Sequence, residues 1–257
     1  MTEPQVRCVV ADYVATVTLD RPPVNALSPQ MQAEIIETFD RLSDRADVRA
    51  VVLTGAGRVF CAGADIKARA GRSFGEGERW SHNRSIREAF HAIAECRKPV
   101  VAAINGPALG GGLCFVASCD ILVAAEGGSI GLPEIDVGLL GGGRHAMRLF
   151  GHSLTRRMMM LGYRVSGAEL YRLGVVEACV PGAELMTVAD DFARDLASKS
   201  PAALHLAKRG LNAIEEMSLR DGYRFEQDMT AELGNHPDSR EAMAAFAERR
   251  PPRFMGS

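Results

Sequence analysis

Apolar positions in the first part of the chain come in short runs, and only later do they fall at helical spacing. Val6 to Val10 and Val14 to Leu19, separated by Ala11-Asp12-Tyr13, read as the arms of a β-hairpin. Arg21-Pro22-Pro23-Val24-Asn25-Ala26-Leu27 is a loop, because consecutive prolines break strand and helix alike. Ser28 then stands as an N-cap before Pro29, and Met31, Ile35, Ile36, Phe39 and Leu42 line one face of the helix that follows. Further runs predict strands at Ala50–Leu53, Val100–Ile104, Ile121–Ala125, Ser129–Leu132 and Val175–Val180. Helices are predicted at 81–96, at the short apolar segment 113–117, from near Arg144, and at 152–161 and 167–173. Residues 68–80 are rich in Gly, Arg and Glu, and read as a mobile loop. From 183 to 249 the pattern is helical, with breaks near Ser200-Pro201, Ser218 and Asn235-His236-Pro237. Strands dominate early and helices late, which sets an α/β core before a helical tail.

Two glycine-marked segments interrupt this pattern. Phe60-Cys61-Ala62-Gly63-Ala64-Asp65-Ile66-Lys67 follows the run ending Leu53-Thr54-Gly55, and Asn105-Gly106-Pro107-Ala108-Leu109-Gly110-Gly111-Gly112 follows Val100–Ile104. Each reads as a buried strand delivering a tight turn, in which small side chains let a ligand reach main-chain N–H groups. Two such turns facing each other can hold a carbonyl oxygen that becomes an oxyanion. Phosphate loops fit poorly. There is no GxxxxGK[ST], and the second segment is not GxGxxG.

The 257 residues suffice for a sizeable core, and a net charge of −2 without basic runs gives no reason to expect nucleic acid or an anionic membrane as partner. No stretch is long and apolar enough to span a bilayer, and the polar start lacks a signal-peptide core, so the expected location is cytoplasmic. The six cysteines form no CxxC pair and no zinc-ligand spacing; they read as small buried hydrophobes, with no metal site and no disulfides expected.

Glu134 is the acid/base candidate. It follows Pro133 and lies between Leu132 and Ile135, and partial burial would raise its pKa toward the range useful for proton transfer. Spacing alone supports a turn-capping carboxylate equally well.

Taken in order, Asn25-Ala26-Leu27, Val52-Leu53-Thr54-Gly55, the block 60–67, Lys98-Pro99-Val100, Asn105-Gly106, Gly110-Gly111-Gly112, Cys119-Asp120, Gly131-Leu132-Pro133-Glu134 and the tail 245–254 resemble the crotonase superfamily, the enoyl-CoA hydratase/isomerase family. The resemblance implies an α/β spiral of ββα units over residues 1–195, holding coenzyme A and the active site, and a C-terminal helical region over 196–257 for packing and oligomerisation. It implies that the backbone N–H groups of Ala64 and Gly111 form an oxyanion hole for an acyl-CoA thioester, the second at a helix start where the dipole adds to it. It implies a coenzyme A groove made by Val24, Ala26, Ala62, Ala64, Ile66 and Lys67, with Arg249 offered to a neighbour's coenzyme A. Lys67 reads otherwise as a solvated surface lysine. The implied assembly is a homotrimer or dimer of trimers, with no cofactor beyond the coenzyme A of the substrate.

Hydratases of the family carry a second glutamate where this chain has Cys114, and a thiol with a pKa of about 8.5 is a poor substitute for a carboxylate. That departure sets isomerisation or C–C hydrolysis of a cyclic β-ketoacyl-CoA beside hydration as the expected reaction. Arg144 and His145 stand where hydratases usually have small residues, so both are candidates for touching substrate or positioning water, against a reading as solvent-facing groups at a helix start. Cys114 is a possible catalytic group or a buried hydrophobe, and His82 and His91 are further conceivable acid/base groups. A reading of another class, a non-catalytic acyl-CoA-binding protein, is motivated by the missing glutamate and opposed by Glu134 and both turns.

Overall fold

The computed structural model describes residues 3–69 and 73–254. The hairpin is present as β1 (Val6–Ala11) and β2 (Val14–Leu19), and Ser28 caps α1 (Pro29–Asp44) by accepting a hydrogen bond from the Met31 N–H. Then come β3 (Ala50–Gly55), the single turn α2 (Ile66–Arg69), α3 (Glu78–Ala94), β4 (Val100–Ile104), β5 (Pro107–Leu109), α4 (Gly111–Ala117), β6 (Ile121–Ala125) and β7 (Ser129–Gly131). A 3-10 turn (Pro133–Val137) leads into α5 (Gly143–Leu149), α6 (His152–Leu161), β8 (Arg164–Ser166), α7 (Gly167–Arg172) and β9 (Ala178–Val180). The chain ends in α8 (Leu185–Ala197), α9 (Pro201–Ile214), α10 (Leu219–Gly234) and α11 (Pro237–Glu248).

One sheet has the order β1-β2-β3-β4-β6-β9, parallel except for the hairpin. A smaller sheet has the order β5-β7-β8. The chain passes repeatedly from the large sheet to the small layer and then into a helix: β4–β5–α4 and β6–β7–α5 are two such passes, and β3 followed by Cys61, which bridges to Ala108 of β5, is a third. This is the ββα spiral that the resemblance implies. Strands buried on both faces read as unbroken apolar runs. Val51, Leu53, Ala102 and Ile104 face the core shared with α1, α3 and α4, whereas Ala50, Val52, Val101 and Ala103 pack against α8. Leu185, Ala189, Ala193 and Ala197 of α8 recur every four residues, so small side chains let that helix lie close on the sheet.

Four details differ from the sequence pattern. α3 starts three residues earlier than expected, after Gly77 in the left-handed region, which takes residues 78–80 from the expected loop. Of the rest of that loop, residues 68 and 69 belong to α2, and 70–72 lie outside the described residues. The strand expected from Val175 begins at Ala178, because the Val175 N–H instead closes the end of α7 on the Leu170 carbonyl (2.9 Å). β5 and β8 have only three residues each, too short for an alternation to register.

Candidate active site

The two turns meet. Cys61 ties the first to β5: its N–H donates to the Pro107 carbonyl (3.2 Å), and its carbonyl accepts from Leu109 (2.9 Å). Gly63 then turns with φ 79°, and its carbonyl accepts from Leu27 (2.8 Å). A Cβ at Gly63 would lie 2.6 Å from the Leu109 carbonyl oxygen and 3.2 Å from the Gly111 nitrogen, so only glycine fits between the two segments. The second turn pivots on Gly110, with φ 55° and ψ −115°, which donates to the Gly131 carbonyl (2.9 Å) and accepts from Cys114 in the first turn of α4 (3.2 Å). The N–H groups of Ala64 and Gly111 take no part in the turn, cap and bridge hydrogen bonds that fix these segments.

Glu134 completes the arrangement from the start of the 3-10 turn. Its Oε1 stands where a Cβ on Gly110 would be, 2.0 Å from that position, and its Oε2 is buried without a hydrogen-bond partner. Burial raises the carboxyl above its ordinary range. One cavity of about 180 Å³ is lined by Ala64, Gly111, Glu134 and Cys114, with Leu27, Ile86 and Phe90 among its apolar walls. The Cys114 thiol is 3% exposed, and burial, reinforced by the Glu134 charge, pushes it up to about 12, so it is a protonated, apolar wall at neutral pH.

Arg144 and His145 lie elsewhere. They line a separate cavity with His91, Arg148 and Glu215, on the far side of Phe90, whose ring meets the His145 ring edge-on at 5.1 Å. Arg144 is exposed and paired with Glu216 (2.8 Å). His145 is half-buried, and burial, helped by Arg148, His91 and Arg144, lowers its pKa to about 4, so it is neutral at pH 7. His82 lines the Glu134 cavity, and His91 does not.

The segments 24–27 and 62–66 run side by side, joined by Ala62 N–H to the Val24 carbonyl (3.0 Å), by the Leu27–Gly63 bond and by the Leu27–Ala64 bridge. Val24 (36%) and Ile66 (39%) present exposed apolar surface beside Ala62 and Ala64, Ala26 is buried, and Lys67 is exposed. Arg249 is exposed at the C-cap of α11 and lines neither cavity. Among the described residues no three His, Cys, Asp or Glu side chains gather as a metal-ligand set.

Three positioning residues escaped the sequence reading. Asn25 is 1% exposed at φ 53°, donates to the Ala56 and Val59 carbonyls (2.9 and 2.7 Å) and accepts from the Arg21 N–H (2.9 Å), which fixes the loop beside the first turn. Leu27 and Phe90 back Gly111, where a Cβ would meet Leu27 Cδ1 at 2.4 Å and Phe90 Cζ at 3.8 Å. An asparagine directly after Pro-Pro-Val is a signal for a left-handed turn residue; for the other two, nothing local in the sequence points to the role.

The family model described as enoyl-CoA hydratase/isomerase matches residues 10–257. The chain is 37% identical to a (7aS)-7a-methyl-1,5-dioxo-2,3,5,6,7,7a-hexahydro-1H-indene-carboxyl-CoA hydrolase of Mycobacterium tuberculosis, over 86% of this chain and 89% of that one. It is 33% identical to a short-chain-enoyl-CoA hydratase of Clostridium acetobutylicum, over 92% of each. The crystal structure of an enoyl-CoA hydratase from Bacillus anthracis superposes with a TM-score of 0.92 at 33% identity, covering 98% of this chain and all (100%) of that one. With a core, two turns and a family match that span nearly its whole length, this chain belongs to the enoyl-CoA hydratase/isomerase family, the crotonase superfamily, and is an acyl-CoA enzyme of that type.

Proposed function

We propose that this enzyme forms an enolate from an acyl-CoA thioester, with Glu134 as its single acid/base. The observation that carries this reading is the Glu134 carboxyl: one oxygen packs on Gly110, the other is buried without a partner, and both share a cavity with two unused backbone amides. A buried, unpaired carboxyl holds its proton more readily, which matches it to proton transfer at carbon. The Ala64 and Gly111 N–H groups hold the thioester oxygen as negative charge gathers there, each worth about 3 kcal/mol of transition-state stabilisation. Val24, Ala26, Ala62, Ala64, Ile66 and Lys67 hold coenzyme A, and no other cofactor is needed.

With Cys114 protonated and apolar, one carboxylate is left for the chemistry. Isomerisation requires no more. Glu134 removes a proton from one carbon, the electron pair delocalises into the thioester carbonyl, and the proton returns to a second carbon as the double bond moves. The identity to the M. tuberculosis hydrolase supports a second reading, in which water adds to a ring ketone, the adjacent C–C bond breaks, and the electron pair leaves as the thioester enolate that is then protonated. Arg144 and His145, lining the cavity behind Phe90, are given no step.

The same proposal includes a homotrimer or dimer of trimers built through the region 196–257, supported by the exposed Leu211, Leu219, Tyr223, Met243 and Phe246, with Arg249 reaching a neighbour's coenzyme A. None of the described helices is long and apolar enough to cross a membrane, and a cytoplasmic location belongs to the proposal. The test is exchange of the α-proton of a saturated acyl-CoA in D₂O, followed by mass analysis of products from an acyl-CoA panel. Exchange that disappears in Glu134→Gln supports the reading. Equal rates in the two proteins refute it. No change of product mass then means isomerisation, and a gain of one water means hydration or C–C hydrolysis, which fragmentation separates.

A further inference from the structure

Two lysines are buried where the chain enters β4, and they differ in their partners. Lys208 of α9, 6% exposed, pairs with Asp120 (2.8 Å) and donates to the Ile93 and Lys98 carbonyls (3.1 Å each). Those bonds clamp α9 against the Arg97-Lys98-Pro99 segment. Lys98, 7% exposed, makes no side-chain hydrogen bond or ion pair with any described residue. Of the carboxylates around it, Asp44 acts only from beyond ion-pair distance, and Asp47 is held by Arg45 (2.8 Å). A buried charge without a partner is costly, and burial lowers the Lys98 pKa accordingly. Lys98 lines a cavity of about 140 Å³ with Arg97, with His205 and the first residues of α9, and with Glu232 and His236 where α10 passes into α11. Glu232 is engaged by Arg209, so it does not offset Arg97 and Lys98. The exposed Arg97 guanidinium likewise has no partner among the described residues. His236 Nδ1 accepts from the Asp238 N–H (3.1 Å), which leaves Nε2 as its donor. Pro201 and Ala202 bring the positive end of the 14-residue helix α9 to the same space, and the Ser200 cap takes the Ala203 N–H (3.1 Å), not that of Ala202. Asp238, the buried carboxylate at this junction, is taken up by the Ser200 hydroxyl (2.7 Å).

We infer that this cavity binds a phosphate group, free or on a small monoester, with Lys98 and Arg97 supplying the charge and His205, His236 and the start of α9 supplying further donors. A phosphate dianion matches the surplus of two positive charges and gives Lys98 the partner that the chain does not. A cavity of about 150 Å³ takes one benzene-sized molecule, so about 140 Å³ has room for a tetrahedral oxyanion. The site shares no lining residue with the Glu134 cavity and does not depend on the reaction assigned there. A bound phosphate would tie the entry to β4 to both α9 and the α10–α11 junction, so binding should stabilise the fold.

The test is calorimetric titration of the protein with inorganic phosphate and with glycerol 3-phosphate at low ionic strength, beside thermal melts in phosphate and in sodium chloride of equal ionic strength. The wild type should bind phosphate and melt higher in phosphate than in chloride. Lys98→Met keeps the length of the side chain and removes its buried charge. It should weaken phosphate binding by about tenfold or more, the loss expected for a hydrogen bond to a charged group, and abolish the difference in Tm between the two salts. Binding of both compounds supports a phosphate carried on a small molecule, and binding of inorganic phosphate alone supports the free ion. No phosphate binding above the chloride control, or the same Kd in wild type and Lys98→Met, overturns the inference. Should Lys98→Met fail to fold, His205→Ala at the half-buried wall of the cavity decides the matter: a weakened Kd supports the site, and an unchanged one overturns it.

Discussion

Replacing Gly110 with alanine should disable the enzyme through Glu134 without touching Glu134 itself. The added Cβ would sit 2.0 Å from Glu134 Oε1 and 3.0 Å from its carboxyl carbon. Ordinary contact requires about 3.5 Å, so the carboxyl must retreat by roughly 1.5 Å. A misplacement of about 1 Å in a catalytic group can cost on the order of 10²-fold in rate. Backbone strain adds to this, because φ 55° with ψ −115° is a conformation that side-chain-bearing residues seldom adopt, at a cost of about 1–3 kcal/mol. The expected result is an exchange rate lowered at least about a hundredfold and a Tm lowered by several degrees. The assay is α-proton exchange of an acyl-CoA in D₂O on wild type, Gly110→Ala, Glu134→Gln and the double variant, each with a thermal melt. Since both substitutions act through one carboxylate, their effects should not add; the double variant should exchange about as slowly as Glu134→Gln alone. Gly110→Ala exchanging at the wild-type rate in a folded protein would refute the reasoning, because it would mean that the carboxyl can move away without consequence.

The raised pKa of Glu134 carries a pH signature. A carboxyl with a higher folded than unfolded pKa binds more protons in the native state, so stability is lost as pH rises from the ordinary value of 4.5 through the folded pKa, and Glu134→Gln should raise Tm at neutral pH while abolishing exchange. The exchange rate of the wild type should fall on the acid side with a midpoint above 4.5, as a pH–rate profile would show. His145 has the opposite sign. Its folded pKa of about 4 lies below the ordinary 6.5, so its contribution is present above 6.5 and lost as pH falls toward 4; His145→Phe should flatten the decline of Tm over that window. Thiols pushed up to about 12 are almost wholly protonated at pH 7, so brief iodoacetamide treatment of the native protein should modify exposed Cys8 and spare Cys61 and Cys114, read by peptide mass. Leu219→Asp with Phe246→Asp, which places charges on residues 92% and 88% exposed in the single chain, should shift sedimentation toward the monomer; an unchanged profile refutes an interface there.

How much of this was legible in the sequence follows from the range over which each feature is determined. The central strands β3, β4 and β6 were visible as apolar runs because both of their faces are buried, and α1 was visible because its cap and its period agree. β5 and β8 were not: Pro107-Ala108-Leu109 lies inside the glycine-marked turn segment, and of β8 only Val165 is buried. Within the site, the glycine triplet announced a tight turn but not which glycine does what. Only the folded chain distinguishes Gly110, which the Glu134 carboxyl needs bare, from Gly111, which Leu27 needs bare, and Gly112, where a Cβ would strike the Cys61 carbonyl at 2.3 Å. Arg144 and His145 follow the Gly141-Gly142-Gly143 segment that borders the Glu134 cavity, and chain proximity suggests they face it. Gly142, in the left-handed region, turns the chain as α5 begins, and the two side chains emerge behind Phe90 with Arg148 and Glu215. Neighbourhood in sequence fixes neither the direction of a side chain at a helix start nor which wall of a cavity it forms. Glu134 is the converse case. Its side chain leaves the start of the 3-10 turn that follows β7 and reaches Gly110, with Oε1 2.0 Å from the position a Cβ there would take. The partial burial of this carboxyl was therefore anticipated from its apolar neighbours, while the bare Cα of Gly110 against which it packs, on a residue of a different turn, was not.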